Sequence, residues 1–149
     1  MGRAPDCPTL LIVPEKHGQA PVLAAVAAGG AIGASARYAL SLLWPTTPPY
    51  AFPWTTLLVN VTGCAAMGVA MVLLIEVRIA HRLLRPFIGT GILGGYTTFS
   101  AYTVDGDLLI RGDLLTLGLA YLFLTVVSAL AATWASAALT RHLATRRPW

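Results

Sequence analysis

The sequence predicts an all-α membrane protein with four transmembrane helices, the third of them broken, and three observations lead there. Of the 149 residues, 56% are hydrophobic and 11% charged, with a mean hydropathy of +0.71, whereas soluble domains carry about 25% charged residues. Apolar residues gather into four stretches, about Val22–Trp44, Pro53–Ile75, Pro86–Ile110 and Leu114–Thr140, each of roughly the length that crosses a bilayer. The string Gly94-Gly95-Tyr96-Thr97-Thr98-Phe99-Ser100 interrupts the third. Adjacent glycines weaken a helix, and unwound backbone at membrane depth is tolerated only where protein buries it or a polar cavity meets it. A break that carries hydroxyls is therefore a candidate ion site.

One four-helix domain, residues 21–141, takes up nearly the whole chain. It lies between a polar, Pro-rich tail (1–20) and a short basic tail (142–149), which leaves little room for an extramembrane catalytic domain. The sequence has no nucleophile–base pair or metal-ligand cluster, and His17, His81 and His142 fall near the expected surface, so no enzyme is expected. A net charge of +4 would suggest nucleic acid for a soluble protein. Here the basic residues cluster near helix ends, as cytoplasmic-side lysine and arginine do, and no nucleic-acid partner is expected. Cys7 and Cys64 lie too far apart in depth to pair. Val22–Ala36 could pass for a signal-peptide core, but the long tail before it and Arg37 inside a segment apolar to Trp44 favour a retained span. Met1-Gly2 does not complete a myristoylation signal, because Asp6 stands where Ser or Thr is needed.

In the first span Gly29 and Gly33 lie four apart and leave one face nearly bare backbone, which favours close helix packing. Arg37, in the same span, either has a partner or wet cavity inside the protein or snorkels to the interface with Tyr38. Pro45 to Tyr50 ends the helix in a turn, flanked by the aromatic belt of Trp44, Tyr50, Phe52 and Trp54. Asn60 lies about two turns into the second span. It either makes an interhelical hydrogen bond of about 1 kcal/mol or presents a donor to an anion pathway. Glu76 to Arg85 reads as a charged cytoplasmic connection, and Asp105, Asp107, Arg111 and Asp113 surround the next turn. On the fourth span Tyr121, Thr125 and Ser128 stack on one face, with Thr133 and Ser136 near the same side. Each hydroxyl alone is most simply explained by a bond to its own backbone, whereas three in a stripe suggest a polar track.

With these segments in view, the chain resembles the CrcB/Fluc fluoride channel family over about residues 24–140. Four motifs in order carry the resemblance: Gly29-Gly30-Ala31-Ile32-Gly33-Ala34 with Arg37-Tyr38; Thr56-Leu57-Leu58-Val59-Asn60 with Gly63; Gly94 to Ser100; and the hydroxyl-bearing fourth helix. The resemblance implies an antiparallel dimer with two fluoride pathways. It also implies a structural sodium ion (Na+) at the dimer interface, held by the backbone carbonyls of Gly94 and Thr97. Carried over, the pathway would include Asn60, Phe99, Ser100, Tyr102, Tyr121, Thr125 and Ser128, with Arg37 and Asp105 in support. The chain departs from the family pattern at Tyr102, where a phenylalanine is usual, at Ala129, where the hydroxyl row is expected to continue, and at Asp105, where glutamate is usual.

The implied chemistry is coherent. Fluoride is a small, strongly hydrated acceptor, and a pore must replace its water without trapping it. Neutral donors and the electropositive edge of Phe99 suit that task better than a lysine. The Tyr102 phenol adds a donor that either binds fluoride too well or finds a protein acceptor. Weak-acid HF would dissociate in the cytoplasm, and the channel would export fluoride passively and lower its toxicity. Two other readings compete. A small multidrug exporter needs a carboxylate within a helix, but the first span has no acid, and Glu76 and Asp105 fall near helix ends. A non-conducting structural partner of a fluoride channel heterodimer fits the departures at Tyr102 and Ala129.

Four spans put both termini and the central loop on one side, with Arg3, Lys16, Arg78, Arg82, Arg85, Arg141, Arg146 and Arg147. The other side has Arg111. Such a bias sets both termini in the cytoplasm, with the chain in the cell's inner (plasma) membrane. A chain that inserted both ways to pair with itself would be nearly balanced. The expectation is therefore an antiparallel dimer with a paralogous subunit of opposite bias, with a homodimer as the alternative.

Overall fold

The computed structural model describes residues 19–45, 51–76 and 82–145. Several sequence readings fall outside them: most of the N-terminal tail with Arg3, Cys7, Lys16 and His17; the turn residues 46–50 with Tyr50; Arg78 and His81; and Arg146 and Arg147.

Helix α1 (Ala20–Leu43) begins with Pro21 in its first turn, where a missing N–H costs nothing. Helix α2 (Trp54–Met71) follows Pro53 and continues as a π-wound turn over Val72–Glu76. Helix α3 is π-wound over Pro86–Leu93 and α-wound over Gly94–Tyr96. Helical winding then stops. Thr97 (φ −71°, ψ 155°) and Thr98 (φ −146°, ψ 123°) are extended. Winding resumes as α4 (Phe99–Arg111), and after a turn at Gly112 and Asp113 the chain enters α5 (Leu115–Thr145). Among the described residues, Ala20–Leu43, Trp54–Ile75 and Leu115–Ala144 are each long and apolar enough to cross a membrane. The stretch expected as the third span is divided between α3 and α4 and contains no single helix of that length. The described residues form helices and turns, with no strand among them.

Helix α1 lies along α3, while α2 and α4 both pack on α5. The α1–α3 contact is backbone on backbone. A Cβ at Gly33 would collide with the Ile92 carbonyl and come within 2.8 Å of the Tyr96 nitrogen. From the facing side, a Cβ at Gly91 would lie 2.9 Å from the Gly29 Cα, and one at Gly95 would lie 3.0 Å from the Gly30 Cα. Two glycine pairs spaced by four, Gly29/Gly33 and Gly91/Gly95, thus face each other. Lipid tails are as apolar as leucine, so such an interface depends on close packing rather than on water exclusion. The α2–α4–α5 side is built differently. Leu57, Tyr102, Leu109 and Tyr121 form its core, with Phe52 edge-on to Tyr121 at 5.5 Å. The Thr133 hydroxyl ties α5 to the Cys64 carbonyl of α2 at 3.2 Å.

These contacts generate a paired prediction. Gly33→Ala should destabilise the subunit by about 1–3 kcal/mol, because backbone rather than a flexible side chain blocks the added methyl. Gly30→Ala adds the same methyl where nothing lies within 4 Å, so it should unfold within a degree or two of wild type. Thermal unfolding of both variants in detergent micelles checks the pair.

Candidate functional site

The extended pair Thr97-Thr98 interrupts the ladder of backbone hydrogen bonds, and neighbouring side chains take over the diverted groups. In a continuous helix the Thr98 N–H would donate to Gly94. It donates instead to Oδ1 of Asn60 at 2.8 Å, and Nδ2 of Asn60 donates to the Thr98 carbonyl at 3.0 Å. The Ala101 N–H, which would otherwise reach Thr97, donates to the Thr98 hydroxyl at 3.1 Å and caps α4. Nε of Arg37 donates to the Gly95 carbonyl at 3.3 Å. The Leu93 carbonyl accepts both the N–H (3.0 Å) and the hydroxyl (2.9 Å) of Thr97. The carbonyls of Gly94 and Thr97 have lost their helical donors, and among the described residues no other donor replaces them.

Against this interruption lies an open cavity of about 230 Å³. Asn60 and Cys64 of α2, Thr97, Thr98, Phe99 and Tyr102, and Thr125, Val126 and Ala129 of α5 line it. It contains hydroxyls, an amide and ring edges, and among the described residues no charged side chain lines it. Asn60 is buried, and its clamp on Thr98 uses one of two amide hydrogens. Phe99 is 77% exposed and lies 5.5 Å from the Tyr102 ring, centroid to centroid. Tyr102 is buried, and its hydroxyl donates to the Leu122 carbonyl at 2.9 Å.

The structure thus brings Asn60, Thr97, Phe99, Tyr102 and Thr125 together on one cavity and distributes the other candidates around it. The Thr125 hydroxyl bonds back to Tyr121 at 2.8 Å, and that of Ser128 to Leu124 at 2.6 Å. Ser100 is exposed, with its hydroxyl 3.2 Å from that of Thr98. Tyr121 is fully buried near Asp105, Thr56 and Thr125, yet its hydroxyl is in hydrogen-bonding geometry with none of the described groups. Asp105 is half-buried and accepts from the Thr56 hydroxyl at 2.6 Å. Gly94 is exposed at the end of the first half of the interrupted span. Arg37 is half-buried and lines a second, smaller cavity of about 100 Å³ with Ser41, Thr55 and Thr56. It has an internal partner, which decides between the two readings of that residue. Among the described residues no group of three His, Cys, Asp or Glu side chains gathers to hold a metal.

Sequence reasoning missed the capping role of Thr98 and the Gly91/Gly95 pair. Both carried a signal: a threonine just before a renewed helical run, and glycines spaced by four.

Asn60→Ala should cost about 2–5 kcal/mol, since it leaves both the N–H and the C=O of Thr98 without their side-chain partner in a buried setting. Asn60→Gln, which keeps the amide on a longer stem, should fall between Asn60→Ala and wild type. Thermal unfolding of the three proteins in detergent gives the order.

A family model described as "CrcB-like protein, Camphor Resistance (CrcB)" matches residues 24–137 of the chain. A Streptomyces coelicolor protein named "Fluoride-specific ion channel FluC 1" is 60% identical over 119 residues, covering 80% of this chain and 77% of its own length. A Nocardia farcinica protein, "Fluoride-specific ion channel FluC 2", is 48% identical over 128 residues, covering 80% and 91%. In Rhizobium meliloti, "Fluoride-specific ion channel FluC" is 40% identical over 118 residues, covering 79% and 94%. These relatives are named as ion channels, a class that is not enzymatic. With its apolar helices and this match across most of its length, the chain is a multi-pass membrane protein and belongs to the CrcB family.

Proposed function

We propose that this chain is a pore-forming subunit of a fluoride channel that exports fluoride passively from the cytoplasm. The observation that carries the reading is the uncharged cavity beside the Thr97-Thr98 interruption, in a chain 60% identical to a protein named as a fluoride-specific channel. A fluoride ion entering this cavity would exchange water for the second amide hydrogen of Asn60, for the hydroxyls of Thr98 and Thr125 when they rotate, and for the edge of Phe99. None carries a full charge, so each holds the ion weakly enough to release it, as conduction requires. The first turn of α4 adds unpaired N–H groups and the positive end of its helix dipole. Ser100, Tyr121 and Ser128 are read as flanking the pathway, with Asp105 and Arg37 supporting it.

The Gly94 and Thr97 carbonyls fit a hard cation such as Na+. Both are oxygen donors, both have lost their helical N–H partners, and neither has another donor among the described residues. A sodium ion there would neutralise the carbonyl end of α3 and help hold the interruption open. We read the active form as an antiparallel dimer in the plasma membrane, and Phe99, exposed in the single subunit, suits a place beside a second subunit. The lysine and arginine bias supports insertion in one orientation, with both termini cytoplasmic, and a separately encoded partner subunit. A second reading, a non-conducting partner subunit, rests on Ala129, which lines the cavity with a methyl. Growth of a fluoride-sensitive host tests the first. The inserted protein, with its partner where it has one, should restore growth, and failure to protect would favour the second.

Two variants test the pathway. Phe99→Ile keeps bulk but removes the ring edge, so fluoride flux from liposomes should fall about tenfold or more while the assembly survives. Tyr102→Phe removes a hydroxyl already engaged by Leu122, so flux should stay within about twofold. A large change would mean the phenol leaves Leu122 for the ion.

A further inference from the structure

The largest cavity among those described lies elsewhere, at the opposite end of α2 from Trp54. Trp54–Ile75 is 22 residues long, about 33 Å at helical rise, so Leu74 and Ile75 reach the membrane edge away from the Trp44, Phe52 and Trp54 cluster. Between this end of α2 and the start of α3 runs a groove of about 330 Å³. Its walls include Met67, Met71, Leu74, Ile75 and Gly89, and among the described residues Arg85 is the charged residue lining it. Met71 and Ile75 are 50% and 44% exposed, so the groove opens sideways rather than into the protein.

Arg85 is fixed rather than loose. Its Nε donates to the Leu74 carbonyl, in the π-wound end of α2, at 3.1 Å. That bond holds the guanidinium at the groove wall, and among the described residues no acceptor takes its terminal nitrogens. Arg82, also exposed, lies one turn before it. An apolar channel at the hydrocarbon boundary with a bidentate cation at its rim has the shape and charge of one ligand class.

We propose that this groove binds an anionic phospholipid, with the headgroup phosphate on Arg85 and an acyl chain along Met67 and Met71. Among the described residues no carboxylate pairs with Arg85, so charge complementarity selects this occupant over a neutral chain or an apolar helix. The site is independent of the ion conducted.

Native mass spectrometry of the full-length protein, with any partner subunit, tests it. The protein is released from bilayers of equal parts phosphatidylglycerol and phosphatidylcholine. Phosphatidylglycerol should be retained over phosphatidylcholine by roughly fivefold, the effect of about one well-placed arginine. Arg85→Gln should abolish that preference and Arg85→Lys should keep part of it. Met71→Trp, which fills the groove, should release the retained lipid. Arg111→Gln, at an exposed pair with Asp107, should change nothing. Equal retention of both lipids by the wild type would overturn the proposal, as would a preference unchanged in Arg85→Gln. Lipid retention unaffected by Met71→Trp would place the occupant elsewhere and overturn it too.

Discussion

In hydrocarbon every backbone N–H and C=O must find a partner within the protein, and the Thr97-Thr98 interruption is where this chain meets that demand without a helix. Asn60 replaces both a donor and an acceptor for Thr98, the Thr98 hydroxyl takes the Ala101 N–H, and Arg37 occupies the Gly95 carbonyl. The rest of the architecture serves to bring these side chains to the break. A polar side chain two turns inside α2 and a guanidinium in α1 would be costly in lipid. Each is accounted for by a particular backbone group in the interrupted span.

The glycine contact between α1 and α3 belongs to the same arrangement. Only bare backbone on both sides lets α1 approach closely enough for Arg37 to reach Gly95. The tight packing on one flank and the aromatic core on the other leave, between α2, α4 and α5, the larger of the two described cavities that touch Thr98. Its lining follows from helix register. Thr125 and Ala129 lie one turn apart on α5, and Asn60 and Cys64 one turn apart on α2. The hydroxyls that look like one stripe in the sequence divide by role, since those of Thr133 and Ser136 contact α2 at Cys64 and Gly68.

Much of this was legible in the residues. Apolar length marked three long helices, and the remaining apolar stretch holds the extended residues Thr97 and Thr98 within Gly94 to Ser100. The family resemblance rested on motifs specific enough for the comparisons to bear out. What one dimension could not show was which of two chemically reasonable partners each polar group takes. Asn60 was left between an interhelical bond and a pathway donor, and it makes the first while keeping one amide hydrogen. Arg37 was left between an internal partner and the interface, and Gly95 decides it. The Tyr102 hydroxyl was open between ion and protein, and Leu122 takes it. Such choices depend on distances between segments far apart in sequence, which periodicity does not encode. The π-winding of Pro86–Leu93, the stretch that lies along α1, was equally hidden.

The central claim is that an uncharged cavity beside interrupted backbone passes fluoride. The direct measurement is ion efflux from liposomes holding the wild-type protein with any partner subunit, loaded in parallel with potassium fluoride and potassium chloride. The account predicts rapid fluoride release once a potassium ionophore relieves the charge, with chloride release near that of empty liposomes. Fluoride retained at the level of protein-free liposomes, or chloride released as fast as fluoride, would contradict it.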